Sequence, residues 1–208
     1  SLFLGCKSAV ENSVETSFFT QDSLYKITFD RPIELDTFYT WKDIDDNACS
    51  DERKYRFSKK AFPHQKETGF FWNSFVDSTY RITLKHVEGF QCKSQMDHER
   101  ILEPRTYLSN IYLKFKNDNP KTNIDTLYSK SFKINELSTV VVAYRIKEDY
   151  YITHDFSNGY WTNYLKLLTE VDNNLFVLTA DCRTKDCAGF IERMEKSFRT
   201  IRIEKNRH

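Results

Sequence analysis

The sequence predicts an α+β domain, an antiparallel β-sheet packed on a C-terminal α-helix. Three observations lead there. Aromatic residues make up 15% of the 208 positions, 17 Phe and 12 Tyr among them, against 5 Gly and 4 Pro. Rings in that proportion suit a pleated, half-buried surface. Several stretches alternate apolar and polar residues with the period of two that marks a strand with one wet face. The last stretch changes to a helical period. A chain of this length can bury a core of its own as one domain. Residues 1–22 are assigned to an N-terminal segment and flexible tether, and 23–208 to the single globular domain.

Lys7 to Asp22 is polar and without period, too poor in apolar surface to offset the entropy of ordering it, and is expected to be the tether. Tyr25, Ile27 and Phe29 share one strand face, Arg31-Pro32 interrupts, and Ile33 to Trp41 resumes. Asp43 to Pro63 is a long polar connection. Within it Arg53, Lys54, Arg56, Lys59 and Lys60 follow Asp43, Asp45, Asp46, Asp51 and Glu52, which suggests a solvated loop of mixed charge. Tyr80, Ile82 and Leu84 alternate with Arg81, Thr83 and Lys85. Gln91 to Pro104 is a polar interruption with a helical turn around Met96 to Leu102. Tyr107, Ser109, Ile111, Leu113 and Phe115 alternate as a strand would, and Asn117 to Pro120 is a turn. Val140 to Tyr144 is the most apolar segment and is expected to be a central strand. Trp161 to Val171 fits either period. A hairpin through Asp172-Asn173-Asn174 into Leu175 to Ala180 favours the strand. Finally, Asp186 can cap a helix from Cys187 that carries Phe190, Ile191, Met194, Phe198 and Ile201 on one face.

At the N-terminus, Leu2-Phe3-Leu4-Gly5-Cys6 resembles the end of a bacterial lipoprotein signal peptide of the Bacteroidetes type, in which cleavage precedes a cysteine that carries lipid. Gly5 fits the pattern, whereas Phe3 and Leu4 stand where Leu and then Ser or Ala are usual. The resemblance implies lipid attachment at Cys6. It also implies a location in the cell envelope, facing the periplasm since no acidic run follows Cys6. The five cysteines agree with export: with Cys6 assigned to lipid, four remain, which can pair in three ways. Cys182 and Cys187 are near enough in sequence to close a small loop, leaving Cys49 with Cys92. In the chain-entropy model the short loop contributes about 2 kcal/mol and the long one about 4.

The late meander followed by a terminal helix ending Ser197-Phe198 resembles the PsbP-like fold, over about the last third of the chain. That resemblance implies a binding or assembly module with no transferable catalytic set. Charge agrees with a narrow choice of partners: 31 basic against 30 acidic side chains give no long-range field for nucleic acid or an anionic membrane. No later apolar run approaches the roughly 20 residues a bilayer requires, so a membrane is met only through the lipid anchor.

The sequence carries few residue sets that suit catalysis. His86, Cys92 and His98 are spaced by six, which neither helix nor strand places on one face, and no metal or cofactor is expected. Adjacent His154 and Asp155 point to opposite faces of a strand. No Gly-flanked nucleophile elbow, P-loop or dinucleotide fingerprint occurs. The expected function is therefore that of a non-catalytic envelope binding module with a protein partner. An immunity protein neutralising a toxin delivered to the periplasm is the alternative, and an envelope hydrolase ranks third. Tyr150, Tyr151, Tyr160 and Trp161, around the Asn158-Gly159 turn, are the candidate partner-binding rings, with Trp161 largely buried and Tyr160 partly exposed.

Overall fold

The computed structural model describes residues 12–43, 52–60, 79–88, 103–118, 120, 122–147, 161–183 and 187–206. Among them, ten strands form two antiparallel sheets. The smaller joins β1 (Ser13–Phe19), β2 (Tyr25–Pro32) and β10 (Arg202–Lys205) in the order β1-β2-β10. The larger contains β3 (Thr37–Asp43), β4 (Glu52–Ser58), β5 (Thr79–Val87), β6 (Asn123–Ile134), β7 (Leu137–Lys147), β8 (Thr162–Val171) and β9 (Asn174–Arg183). Its order is β3-β4-β5-β9-β8-β7-β6. Two helices, α1 (Pro104–Asp118) and α2 (Phe190–Phe198), complete the described residues. The α+β prediction holds, with the terminal helix packed on the sheet.

Alternation places the core. Tyr25, Ile27 and Phe29 of β2 meet Tyr55 and Phe57 of β4, Ile82 and Leu84 of β5 and Phe176 and Leu178 of β9, all buried. Helix α2 closes the same layer with Phe190, Met194 and Phe198, and Ile201 follows just beyond it. Its Ser197 hydroxyl donates to the Asp30 carbonyl, and the Asp30 amide donates to Thr200 Oγ1 at 2.7 Å, which pins the helix end to β2. Across α2, Lys130, Tyr128 and Arg199 all donate to Glu195. Burial raises the Glu195 carboxyl, but these three donors outweigh it and bring it from 4.5 down to about 2.

Val140 to Tyr144 is buried on both faces of β7, an interior strand as its unbroken apolar run suggests. The reading of 161–171 as a strand also holds. Asp172 and Asn173 take positive φ angles of 47° and 67°, the two-residue turn whose twist suits a hairpin.

Four expectations are corrected. Ser13–Phe19, expected within the tether of residues 7–22, is strand β1 and pairs with β2 along its whole length. Its hydroxyl-rich residues suit a half-wet edge strand, and Phe18 turns inward against Tyr55 with ring centroids 5.1 Å apart. Ile33 is 61% exposed and precedes β3, which starts only at Thr37. The Tyr107–Phe115 alternation belongs to helix α1. Tyr107, Ile111 and Phe115 recur every four residues, and with Leu108 they pack on the apolar side of β7 and β8, while Leu113 stays 53% exposed. Glu103 caps this helix by accepting from the Arg105 and Thr106 amides, and Pro104 fills the first helical position. Finally, α2 begins at Phe190 after Gly189, whose φ of 66° suits a residue without Cβ, three residues later than a start at Cys187.

Candidate functional site

The two faces of the large sheet differ in kind. One packs on the small sheet and α2. The other carries α1 over β6 and β7, and beside that helix lies a groove of about 480 Å³. Register builds its floor in three rows. Arg56, Thr83, Thr179, Lys166 and Val142 stand opposite one another in sequence across β4, β5, β9, β8 and β7. Lys54, Lys85, Val177, Leu168 and Val140 form the next row. Arg81, Asp181, Tyr164 and Tyr144 form the third. Each row starts with a cation on β4 or β5, the second with one on each, and two of the three end in valines of β7 under α1. Lys114, Ile111 and Phe115 of that helix supply the wall.

The cations were legible, but their placement was not. The basic stretch around Arg53 to Arg56, expected in a loop, is strand β4 in the sheet interior. Tyr55 and Phe57 face the core, so period two turns Lys54 and Arg56 into the groove. Arg56 is only 2% exposed, donates from Nε to Thr83 Oγ1 at 2.8 Å and lies 4.8 Å from the Trp41 ring centroid. Lys54 sits 5.8 Å from the same ring. Lys166 reaches the Tyr107 hydroxyl on α1 at 3.4 Å. Burial pushes the neighbouring Tyr144 hydroxyl up to about 12, which keeps it a neutral donor. The groove's carboxylate, Asp181, accepts from Arg81 Nε with both oxygens at 2.9 Å. Among the described lining residues, Lys and Arg number six against this single acid.

Lys54 and Lys85 occupy directly opposed positions on neighbouring strands. Like charges so placed destabilise a sheet. With Arg56 beside them, the arrangement concentrates positive charge in a concavity of ligand size.

Tyr150, Tyr151 and Tyr160 lie outside the described residues. Trp161 is partly buried, with the Arg145 guanidinium 4.6 Å from its ring centroid at the entrance of β8. Cys182 and Cys187 are joined by a disulfide, their Cα atoms 5.9 Å apart, which ties the end of β9 to the approach to α2. Cys6, Cys49, Cys92, His98 and His154 lie outside the described residues. His86 is fully buried with its ring stacked on Phe176 at 4.6 Å. No helix among the described residues is long and apolar enough to cross a membrane.

No protein-family model matches the chain, and no curated protein matches it in sequence. Solved structures do. The yeast Ran-binding protein Mog1p aligns at a TM-score of 0.47 with 9% identity, over 91% of this chain and 95% of its own. A protein from Bacteroides thetaiotaomicron aligns at 0.41 with 11% identity, over 92% of this chain and 48% of its own. The solution structure of cyanobacterial PsbP (CyanoP) from Synechocystis aligns at 0.53 with 11% identity, over 97% of this chain and 99% of that one, so the likeness in fold to a PsbP-like protein runs the length of both chains.

Proposed function

We propose that this chain is a non-catalytic binding module whose basic groove takes a ligand with an anionic head and an apolar body. The carrying observation is the floor of the groove: Lys54, Lys85 and Arg56 stand together on β4 and β5, and the row of Lys54 and Lys85 runs into Val177 and Leu168, beside the wall that Ile111 and Phe115 of α1 supply. A carboxylate or phosphate head would sit over the cations while its apolar body lies along the valines, and the cavity's size matches a small molecule. A non-catalytic role is supported by the state of Asp181, whose two oxygens are both engaged by Arg81 and so are poorly placed to take a proton from a ligand. A site in the cell envelope with lipid on Cys6 is part of the same proposal, and rests on the Leu4-Gly5-Cys6 junction.

Titration with sodium decanoate, decanol and inorganic phosphate at fixed ionic strength tests the groove. Decanoate should bind saturably and raise the melting temperature, with decanol weaker by tenfold or more, since a charge-assisted hydrogen bond contributes about 1.5–3 kcal/mol. Lys85→Glu should abolish the difference. Lys133→Glu, at a side chain 69% exposed and away from the groove, should leave it intact. Equal response of both variants, or no saturable binding by decanoate or phosphate, would refute the assignment.

A further inference from the structure

A second cluster lies on the opposite face of the large sheet, at its seam with the small one. It gathers Asp22 from the β1–β2 turn, Arg53 from β4, His86 from β5 and Glu88 just past β5. Arg53 and His86 are direct cross-strand partners, and His86 and Glu88 are two apart, the spacing that puts alternate residues of a strand on one side. One oxygen each of Asp22 and Glu88 and one ring nitrogen of His86 lie within 4.8 Å of one another.

The hydrogen bonds around His86 fix which nitrogen is which. Asn174 donates from its side-chain nitrogen to the Tyr25 hydroxyl and to the Asp172 carbonyl, at 3.0 and 2.8 Å, so its Oδ1 is the acceptor it turns to His86. His86 Nε2 lies 3.0 Å from that oxygen and therefore carries the proton. Nδ1 is left as a bare lone pair. Among the described residues it has no hydrogen-bond partner, and it sits on a side chain with 0% exposure. Asp22 Oδ2 is likewise buried without a hydrogen-bond partner, whereas Oδ1 accepts from the Thr20 hydroxyl and from the Leu24 amide at 3.0 Å. Two buried acceptors without a donor, on residues clustered with a further carboxylate, call for a cation.

Arg53 is the cation present. Its guanidinium stands 3.2 Å from Glu88 Oε1 and 3.8 Å from Asp22 Oδ2. That pairing leaves the imidazole lone pair without a donor and sets one positive charge against two carboxylates.

We propose that Asp22, His86 and Glu88 form a binding site for a first-row divalent cation such as zinc, with His86 ligating through Nδ1 and Asn174 orienting the ring. A neutral imidazole held through its other nitrogen by a fixed acceptor is the arrangement metal-ligating histidines use, and one nitrogen with two carboxylate oxygens suits zinc and manganese. Ligand atoms around zinc stand about 3.4 Å apart, so from separations within 4.8 Å the trio closes by at most about 1.4 Å on binding. Arg53 competes with the ion for both carboxylates. This inference does not depend on the groove, which occupies the other face.

Calorimetric titration of chelator-stripped protein with zinc chloride, and separately with manganese chloride, reads the site directly. One saturable site is expected, with a raised melting temperature. Asp22→Asn and Glu88→Gln should each weaken binding tenfold or more. Asn174→Ala should weaken it about 10- to 100-fold by releasing the imidazole, and Arg53→Met should tighten it. That gain separates a ligand set from an incidental surface histidine, because losing a nearby arginine does nothing comparable to the latter. If Asp22→Asn happens to unfold the protein, the outcome rests on Glu88→Gln and Arg53→Met. No saturable binding, or binding unchanged in both of those, overturns the proposal.

Discussion

Replacing Glu195 with Gln tests whether the link between α2 and β6 is electrostatic. Glu195 is held at about 2 by Lys130, Tyr128 and Arg199, against 4.5 when free. A carboxyl lowered by folding stabilises the folded state fully above its unfolded value, and that contribution disappears as pH falls towards the folded value. The difference of about 2.5 units sets a ceiling of about 3.4 kcal/mol. Solvent reduces it: the Lys130 and Arg199 side chains are 38% and 49% exposed, although Glu195 is only 17% exposed. A contribution of about 1–2 kcal/mol remains. Glutamine keeps the shape and resembles the protonated acid, so the two proteins should converge in acid. Urea unfolding of both at pH 7, 5, 3 and 2 is the assay. The wild type should be more stable by about 1–2 kcal/mol at pH 7 and 5, and the gap should close between pH 5 and 2. A gap that is independent of pH, or one that widens as pH falls, would refute the reasoning and leave packing as the link.

Two further outcomes follow. Phe198, 1% exposed where α2 meets the core, should cost about 3–5 kcal/mol on replacement by alanine; a loss below about half a kilocalorie in urea unfolding would place the ring outside the cooperative core. Mass spectrometry of protein extracted from membranes of the native cell should show a diacylglyceryl mass on Cys6, and Cys6→Ser should release the protein; recovery of an unmodified N-terminus from the cytosol would end the lipoprotein reading.

The strands were legible where one side chain pattern had one meaning. Tyr25, Ile27 and Phe29, or Tyr80, Ile82 and Leu84, alternate cleanly, and each set is buried as a face. Val140 to Tyr144, an unbroken apolar run, is the interior strand its composition favoured. The α1 segment failed because two periods coincide in it. Ile111 and Phe115 satisfy both the strand and the helical spacing, and the choice was made by contact with the valines of β7, which no local pattern contains. β6 gave no clear signal because most of its residues are exposed or half-buried.

The groove was hidden for a different reason. Lys54 and Arg56 alternate with Tyr55 and Phe57, and Arg81 and Lys85 with Ile82 and Leu84, so each strand by itself reads as an ordinary half-wet strand. Only pairing reveals that the wet face of β4 lies against the wet face of β5, with Lys54 opposite Lys85 and α1 standing beside both. A face serving solubility alone gains from opposite charges in such pairs, worth about 0.2–1 kcal/mol each. Acidic residues at either position would supply that at no loss of solubility. Instead the three β4 and β5 positions hold cations, and Trp41 adds a ring to which Arg56 and Lys54 are drawn. The Asp22, His86 and Glu88 cluster has the same origin on the reverse face: His86 and Glu88 are two residues apart, yet the third member, Asp22, comes from a turn 64 positions before His86, brought in by the small sheet. Because neighbouring residues of a strand point to opposite sides, β4 sends Lys54 to one site and Arg53 to the other, and β5 does the same with Lys85 and His86. A variant of Lys85 and a variant of Arg53 therefore act on separate surfaces, and each proposal can fail while the other stands.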